Sequence, residues 1–200
     1  EQAPHANDGT SHYTYDPSSP APTLGGPTLL PAVFPSGVKD HRSLSARSDV
    51  LTFTGVALER PLTVMGQVFA RLYVGSSAPD TDFVARLIDV HPDGYMENVC
   101  DGILRARYRK SLSEPEWLQA GEVYKLDIDL WSAAHTFKTG HRVALQVTSS
   151  SFPRFSRNLN TGEDVGTGTR MQVAHQKVLH SSRYPSRKIP PTPPSPPAIA

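Results

Sequence analysis

Serine and histidine are the side chains in this sequence best suited to hydrolytic chemistry, as nucleophile and base. The eight histidines are His5, His12, His41, His91, His135, His141, His175 and His180. A hydrolytic serine usually sits on a sharp turn with Gly-x-Ser-x-Gly spacing, and the sequence has no such pattern. A catalytic triad is defined by geometry and not by chain order, so composition alone does not exclude one. Without that turn or alternating strands and helices, we expect no hydrolysis by this chain alone and no catalytic residues in it.

Metal binding has little support in the spacing of the possible ligands. Neither His-Glu-x-x-His nor His-x-His occurs, so we predict that His141 and His175 are hydrogen-bonded structural residues, and we expect no metal and no cofactor. Residues 158–164 are rich in the oxygen ligands that Ca²⁺ prefers. A polar loop with Asx turns explains the same residues and is the interpretation we favour, with calcium as the alternative.

Arg105, Arg107 and Arg109 form a basic stretch that raises the question of nucleic-acid binding. On a strand, the three side chains would share one face. We predict that Asp127 and Asp129 on another strand pair with them, and we keep an interdomain carboxylate as the alternative partner. The formal net charge is +1, from 20 Lys+Arg and 19 Asp+Glu, so we expect no nucleic-acid partner.

The cysteine and hydropathy patterns bound the cellular setting. Cys100 is the only cysteine, which excludes an internal disulfide and favours a reducing, cytoplasmic location. No apolar run approaches the ~18 residues that a membrane helix needs, and no signal pattern opens the chain, so we expect no membrane partner. Because the chain begins at Glu1, we interpret it as a cut or processed product, and secretion of a longer protein stays open.

Strands must position these residues, because the apolar side chains recur with a period of two. The alternation is cleanest in residues 67–74 and 122–130, which predicts an antiparallel sheet with one exposed face. The other predicted strands are 49–57, 83–90, 96–100, 102–109, 142–150 and 172–180. Pro92-Asp93-Gly94 predicts a hairpin turn, Gly66 a bulge, and residues 113–118 a short helix. About eight such strands predict an all-β jelly-roll β-sandwich.

The 19 prolines are concentrated at the two ends, seven within the first 35 residues and seven in the last 16. Proline lacks a backbone donor, so these segments resist helix interiors and central strands. We therefore divide the chain into an extended wrapping and interdomain strap at 1–47, a β-sandwich at 48–184 and a proline-rich tail at 185–200. The tail should be polyproline-like.

Ten short motifs follow one another through most of the sequence. They are Tyr15-Asp16-Pro17, Leu24-Gly25-Gly26, Arg47-Ser48-Asp49-Val50-Leu51-Thr52-Phe53, Asp80-Thr81-Asp82-Phe83, Asp89-Val90-His91-Pro92-Asp93-Gly94, Asp101-Gly102-Ile103, Arg107-Tyr108-Arg109, Ala120-Gly121-Glu122-Val123-Tyr124, Phe137-x-x-Gly140-His141-Arg142 and Ser149-Ser150-Ser151-Phe152-Pro153-Arg154-Phe155-x-Arg157-Asn158-x-Asn160-Thr161-Gly162. Over residues 13–185 the series resembles the C-terminal domain of the cocaine esterase / X-Pro dipeptidyl-peptidase / α-amino acid ester hydrolase (CocE/NonD) family of serine hydrolases. Each motif is weak alone, but ten in order are specific.

The resemblance implies a galactose-binding-like jelly roll that carries none of the catalytic triad. It implies two partners in the same protein, an α/β-hydrolase catalytic domain and its helical cap. It also implies that the loop after Gly25-Gly26 approaches the mouth of the acyl pocket, which would place Leu29, Leu30 and Phe34 at the rim. The proline-rich insertion at 31–35 departs from the shorter family form, which leaves open which of these side chains reaches the pocket.

The residues give their own reason to expect interfaces at two segments. Leu29, Leu30 and Phe34 are apolar residues on a proline-stiffened segment outside the predicted strands, which is typical of a contact surface. Phe152 and Phe155 flank an arginine in a cluster of the kind found at interfaces. The alternatives are that the first segment covers a sheet edge and that the phenylalanines pack locally.

We therefore predict a non-catalytic domain that stabilises the catalytic domain of a hydrolase acting on esters or peptide amides and helps to shape its pocket. The first alternative is a carbohydrate-binding module, for which Trp117 and Trp131 are the only tryptophan platforms. The second is an assembly domain that forms homo-oligomers.

Overall fold

Two antiparallel sheets face each other in a computed structural model that describes residues 9–28, 35–164 and 166–189. The strands are β1 (Thr10–Tyr15), β2 (Leu51–Ala57), β3 (Leu62–Ser76), β4 (Asp82–Val90), β5 (Met96–Arg105), β6 (Tyr124–Phe137), β7 (Arg142–Thr148), β8 (Ala174–Leu179) and β9 (Arg187–Ile189). One helical turn, α1 (Arg42–Ser45), lies before β2, and a 3-10 turn (Ala106–Tyr108) follows β5. Within the described residues, no helix has the length and apolar character needed to cross a bilayer.

The strand order identifies the topology. The first sheet runs β1-β8-β3-β6, with the short β9 also paired to β3, and the second runs β2-β7-β4-β5. All of the strand pairs are antiparallel. Eight strands in this crossed order form a jelly-roll β-sandwich, which confirms the fold class predicted from the sequence. The more specific likeness to galactose-binding domains stays a prediction.

The main core lies between the two sheets, where the alternating apolar residues of each strand meet. Its central members are Val68, Ala70, Leu72 and Val74 on β3, Phe83, Ala85 and Leu87 on β4, and Leu126, Ile128 and Leu130 on β6, all buried. The opposite face of β6 carries Lys125, Asp127 and Asp129, which are exposed. The apolar alternation of β3 and β6 therefore arises because one face of each strand is buried in the core, as predicted.

Strand β4 is buried on both faces because the chain before β2 covers the second sheet. Ile88 points away from the main core and packs with Met96 and Ala144 in a second, smaller cluster. Over this face, the His41 backbone N–H donates to the Met96 carbonyl at 2.8 Å. His41 Nδ1 also lies 3.2 Å from Gln146 Oε1 on β7. These contacts fix the covering segment against β5 and β7.

Two strands lie where the sequence predicted only extended or tail segments. The segment predicted as wrapping contains β1, whose Tyr13 and Tyr15 are buried in the main core, so the sandwich includes residues well before 48. Residues 10–15 contain no proline and alternate, which is the signal that the proline count obscured. Similarly, β9 lies in the predicted tail and pairs with β3.

Two local predictions are wrong. Residues 113–118 form no helix, and the strand predicted over 102–109 ends at Arg105. The predicted bulge exists beside Gly66, but the extra residue lies on β6, because the register shifts between Gln67 and Phe69 of β3. At that point Trp131 has φ 66 and its N–H donates to Asp129 Oδ1 at 2.8 Å.

Candidate functional site

The described residues that lead to the first predicted contact segment lie beside the second segment, at Phe152. The Thr23 N–H donates to the Phe152 carbonyl at 2.7 Å, and the Phe152 N–H donates to the Ala21 carbonyl at 3.0 Å. Thr23 Oγ1 also donates to the Ser151 carbonyl at 2.8 Å. The segment leading to the predicted pocket-rim loop therefore runs directly beside the Phe152 segment.

A pair of glycines closes the predicted rim loop at its base. Gly26 and Gly37 exchange two backbone hydrogen bonds of 2.8 and 2.9 Å. Their φ values of 77° and 79° lie in the left-handed region that favours glycine. Leu29, Leu30 and Phe34 lie outside the described residues, so their place at the rim stays a prediction.

The two predicted phenylalanines differ in exposure. Phe152 is 42% exposed, and the Arg157 guanidinium carbon lies 5.9 Å from its ring centroid. Phe155 is half-buried beneath Arg154, whose guanidinium carbon is 4.7 Å from that ring. Phe152 is therefore available to a partner, whereas local stacking already covers part of Phe155.

A cleft of 730 Å³ opens between the Gly26–Gly37 loop base and the edges of β5 and β6. Its polar residues include Asp101. Both carboxylate oxygens of Asp101 accept a hydrogen bond from Arg154 Nη1, each at 2.8 Å. Trp131 also lines the cleft and is 69% exposed. Sequence reasoning did not place Trp131 in the contact site, although a tryptophan on the polar face of β6 is a signal for one.

Cys100 also lines this cleft, but it is not a reactive thiol. Burial, together with the nearby carboxylates of Asp101 and Asp129, raises its pKa to about 12. Because the thiolate is the nucleophilic form, the side chain stays protonated and inert near neutral pH.

The serine run before Phe152 is structural. Ser149 Oγ lies 2.9 Å from the Tyr13 hydroxyl, and Ser150 Oγ accepts the Ala21 N–H at 2.8 Å. All three serines of the run are buried. Within the described residues, Ser11 Oγ contacts a histidine, at 3.1 Å from His180 Nε2, but no carboxylate pairs with that ring. The described residues thus bring together no serine, histidine and acid in series.

The three arginines do not share a face, and the prediction that they pair with Asp127 and Asp129 is wrong. Strand β5 ends at Arg105 and the chain turns, so the guanidinium groups diverge. The acids that bind Arg105, Arg107 and Arg109 are, in order, Asp82, Asp80 and Glu116. Asp127 binds Arg71 across the β3–β6 pair, at 2.7 and 2.9 Å.

Asn158 links two of these ion pairs in a buried network. Its Nδ2 donates to Asp80 Oδ2 at 2.6 Å and to Asp82 Oδ1 at 2.8 Å. Burial raises the pKa of Asp82, while hydrogen bonds from Arg105 and Asn158 lower it. Asn158 Oδ1 accepts the Asn160 N–H at 2.9 Å, which is the Asx turn predicted for this loop.

Two of the acids in this loop are also bound to protein groups. Arg170 Nε donates to Glu163 Oε1 at 2.5 Å, and the Gly166 N–H donates to Asp164 Oδ1 at 2.9 Å. These bonds favour the polar loop over calcium coordination.

A second titratable cluster lies at the end of β4. Asp89 is buried, and each of its carboxylate oxygens contacts a histidine. Oδ2 lies 2.9 Å from His135 Nε2, and Oδ1 lies 2.9 Å from His141 Nδ1. The ring of His91 lies 4.4 Å from that of His141, centroid to centroid. Asp89, His91 and His141 offer ligand atoms within 4.8 Å of one another, a spacing suited to a metal ion.

The histidines predicted to be structural do form hydrogen bonds. His141 binds Asp89, and His175 Nδ1 lies 3.2 Å from Thr14 Oγ1 on the neighbouring strand. Both rings thus form the hydrogen bonds that were predicted, and His141 also lies within ligand distance of Asp89 and His91. The grouping with His91 was missed, because the ligands come from distant parts of the sequence.

The described residues thus define an all-β sandwich of the accessory type, with a buried structural serine run at 149–151 and an open cleft at one edge. The family model of the X-Pro dipeptidyl-peptidase C-terminal non-catalytic domain matches residues 1–187, and the chain belongs to this family. It is a C-terminal, non-catalytic domain of CocE/NonD-type hydrolases, as the motif series indicated.

Relatives and solved structures agree with this assignment. The chain is 43% identical over 179 residues to cocaine esterase from Rhodococcus sp. (strain MB1 Bresler), covering 88% of this chain and 31% of that protein. It is similar to an aminopeptidase from a marine sediment Thaumarchaeota archaeon, with TM-score 0.84 and 32% identity, over 94% of this chain and 33% of that one. An α-amino acid ester hydrolase matches with TM-score 0.84 and 33% identity, over 93% of this chain and 34% of that one.

Proposed function

We propose that this chain packs against the α/β-hydrolase domain and helical cap of a longer protein, stabilises them and shapes the mouth of their acyl pocket. Its contribution is apolar contact area, with no nucleophile or base of its own. The chain spans about a third of the length of cocaine esterase, so the longer protein's activity is part of the proposal.

The observation that carries this proposal is the meeting of three features at one edge. The rim-loop base at Gly26 and Gly37, Arg154 of the Phe152 segment and Trp131 all line one cleft. Phe152 and Trp131 expose large aromatic surfaces, at 42% and 69% of each residue, and exposed apolar surface beside a cleft commonly marks an interface. Aromatic side chains of this kind are the usual anchors of protein interfaces, each worth about 2–4 kcal/mol when centrally placed.

The substrate class follows from the relatives. Those that match over most of this chain are named as an esterase, an ester hydrolase and an aminopeptidase. We therefore propose that the longer protein hydrolyses esters or peptide amides, with the chemistry in its other domains.

The absence of catalysis in this chain is tested with activated acyl esters and a serine-directed phosphonate probe. We expect no turnover and no covalent label, because the buried serines are held in structural bonds. Ser11→Ala is the matched control, since Ser11 forms the serine–histidine contact described above. Stoichiometric labelling of one serine would contradict the proposal that this chain is non-catalytic. Loss of the label in Ser11→Ala would identify Ser11 as the labelled residue.

A carbohydrate-binding module is the second candidate, and Trp131 is the observation that favours it. Its ring is exposed beside polar groups of Asn98, Asp101 and Arg154, an arrangement that also suits a sugar. Calorimetric binding of a simple sugar that is lost in Trp131→Ala would support this candidate over the first. Homo-oligomer formation is tested by light scattering, and the proposed cytoplasmic location by cell fractionation.

A further inference from the structure

We propose that Asp89, His91 and His141 form a binding site for one divalent transition-metal ion of the Zn²⁺ type. Asp89 lies near the end of β4, His91 follows in the turn to β5, and His141 lies just before β7. The site is therefore separate from the cleft that carries the proposed function, and it does not depend on that function.

The geometry of the three side chains is close to that of a bound ion. Asp89 Oδ1 and His141 Nδ1 are 2.9 Å apart, and the His91 ring lies alongside His141. Ligand atoms bound tetrahedrally to Zn²⁺ at about 2.0–2.1 Å stand roughly 3.3 Å from one another. Since all three ligand atoms already lie within 4.8 Å, a small rotation of the side chains closes the site.

The donor set has the right chemistry for such an ion. Two imidazole nitrogens and one carboxylate oxygen are ligands that Zn²⁺ accepts, with a fourth position left for water. The Asp89 side chain is only 2% exposed, so a cation would neutralise a buried negative charge. The His91 side chain is 28% exposed, which gives an ion a path from solvent.

Outer partners hold two of the ligands in place. His135 Nε2 lies 2.9 Å from the second oxygen of Asp89, and Glu97 Oε2 lies 3.1 Å from His91 Nε2. Metal ligands are commonly oriented by hydrogen bonds of this kind from a second set of residues. The cluster thus has ligands and supporting partners, which a chance pair of histidines lacks.

The test is a titration of the purified chain with ZnCl₂ alone, by calorimetry and by equilibrium dialysis with metal analysis. We expect one ion per chain and a raised melting temperature in excess Zn²⁺. His91→Asn and His141→Asn should each weaken binding at least 10-fold. His175→Asn is the matched control. His175 is exposed and binds Thr14 within the first sheet, whereas the proposed site lies at the end of β4 in the second, so this variant should bind Zn²⁺ as the parent does.

Two measurements separate a lost ligand from a damaged fold. His91 is partly exposed, so His91→Asn should keep the parent circular dichroism and melting temperature without metal while losing the Zn²⁺-dependent rise. Co²⁺ should give a visible absorption band in the parent chain that is absent in His91→Asn. The proposal is wrong if no stoichiometric ion binds, or if His91→Asn and His141→Asn bind Zn²⁺ as tightly as His175→Asn.

Discussion

Asp80 has no exposed surface and compensates a buried guanidinium. It accepts hydrogen bonds from Arg107 Nε at 2.8 Å, from the Arg107 backbone N–H at 3.2 Å and from Asn158 at 2.6 Å. Asp80→Ala leaves the Arg107 charge buried without its partner. We expect the free energy of unfolding to fall by about 3–5 kcal/mol, as measured by urea denaturation at pH 7.

The matched control is Asp127→Ala, which also removes a carboxylate bound by an arginine. Asp127 and Arg71 are both partly open to solvent, with side chains 39% and 30% exposed. Water screens this pair, so its loss should cost less than about 1 kcal/mol. Equal losses in the two variants would contradict the assignment of a buried, coupled network around Asp80.

Tyr13 links stability to alkaline pH. Burial raises its pKa well above the ordinary 10.0, so the folded chain keeps the phenol proton where the unfolded chain releases it. The unfolded state then binds fewer protons, and stability falls above about pH 10 by about 1.4 kcal/mol per pH unit. Below that pH the shift has no effect. Tyr13→Phe should remove this part of the slope in urea unfolding at pH 8, 10 and 11.

Tyr13→Phe should also cost about 1 kcal/mol at neutral pH, because the hydroxyl contacts Ser149. Tyr15 has a pKa raised in the same direction, so some alkaline dependence remains in the variant. An identical pH slope in the parent chain and in Tyr13→Phe would contradict the role of burial.

At the scale of elements, β5 and β6, an edge strand from each sheet, lie very close together at Gly102. A Cβ atom at Gly102 would overlap the carbonyl oxygen of Asp129, which is backbone and has no room to move. Gly102→Ala should therefore separate the strands and lower the free energy of unfolding by about 3 kcal/mol. Chemical denaturation and the melting temperature measure this loss.

Gly94→Ala is the control for that substitution. Gly94 lies in the β4–β5 turn with φ 86° and open space around its Cβ position, so it tests backbone strain without a clash. The expected cost is about 1 kcal/mol. If Gly94→Ala is the more damaging change, the close contact of β5 with β6 is not what requires glycine at 102.

The elements that the sequence predicted well are those whose alternation results from burial on one face. Strands β3 and β6 meet this condition. Strand β3 extends beyond the predicted range at both ends, whereas β6 begins two residues later than predicted and continues to Phe137. The strand over 102–109 failed because the apolar alternation of Leu104, Ala106 and Tyr108 continues past the point where β5 ends. In the structure, the Ala106 N–H donates to the Thr81 carbonyl and the chain turns. A hydrogen bond between residues so far apart in the chain cannot be predicted from the local sequence.

At the scale of the whole molecule, the motif series located the Gly26 loop and the Phe152 segment, which the fold brings side by side. It did not locate the Asp89 and His141 pair, because 52 positions separate these residues and only the β4–β7 register joins them. Trp131 was missed as a contact residue for a similar reason. Its side chain follows the exposed face of β6, but the cleft that it lines also needs β5 and the Gly26–Gly37 loop base, which are distant in sequence.

The proposed interface makes the effect of Trp131 depend on the rest of the protein. Because its side chain is 69% exposed, Trp131→Ser should change the stability of this chain by no more than about 0.5 kcal/mol. In the longer protein the same change removes a buried anchor, so we expect the melting temperature and the half-life of esterase activity to fall. Phe152→Ser should act in the same direction.

Leu112→Ser is the matched control for Trp131→Ser, since Leu112 is 89% exposed but does not line the cleft. It should leave both the chain and the longer protein unchanged. A carbohydrate site predicts a different pattern, in which Trp131→Ser abolishes sugar binding but leaves the longer protein's melting temperature intact. An interface role buries Trp131 against another domain, whereas a sugar-binding role leaves it open to solvent. The two functions are therefore distinguished by whether Trp131→Ser lowers the melting temperature of the longer protein more than that of this chain.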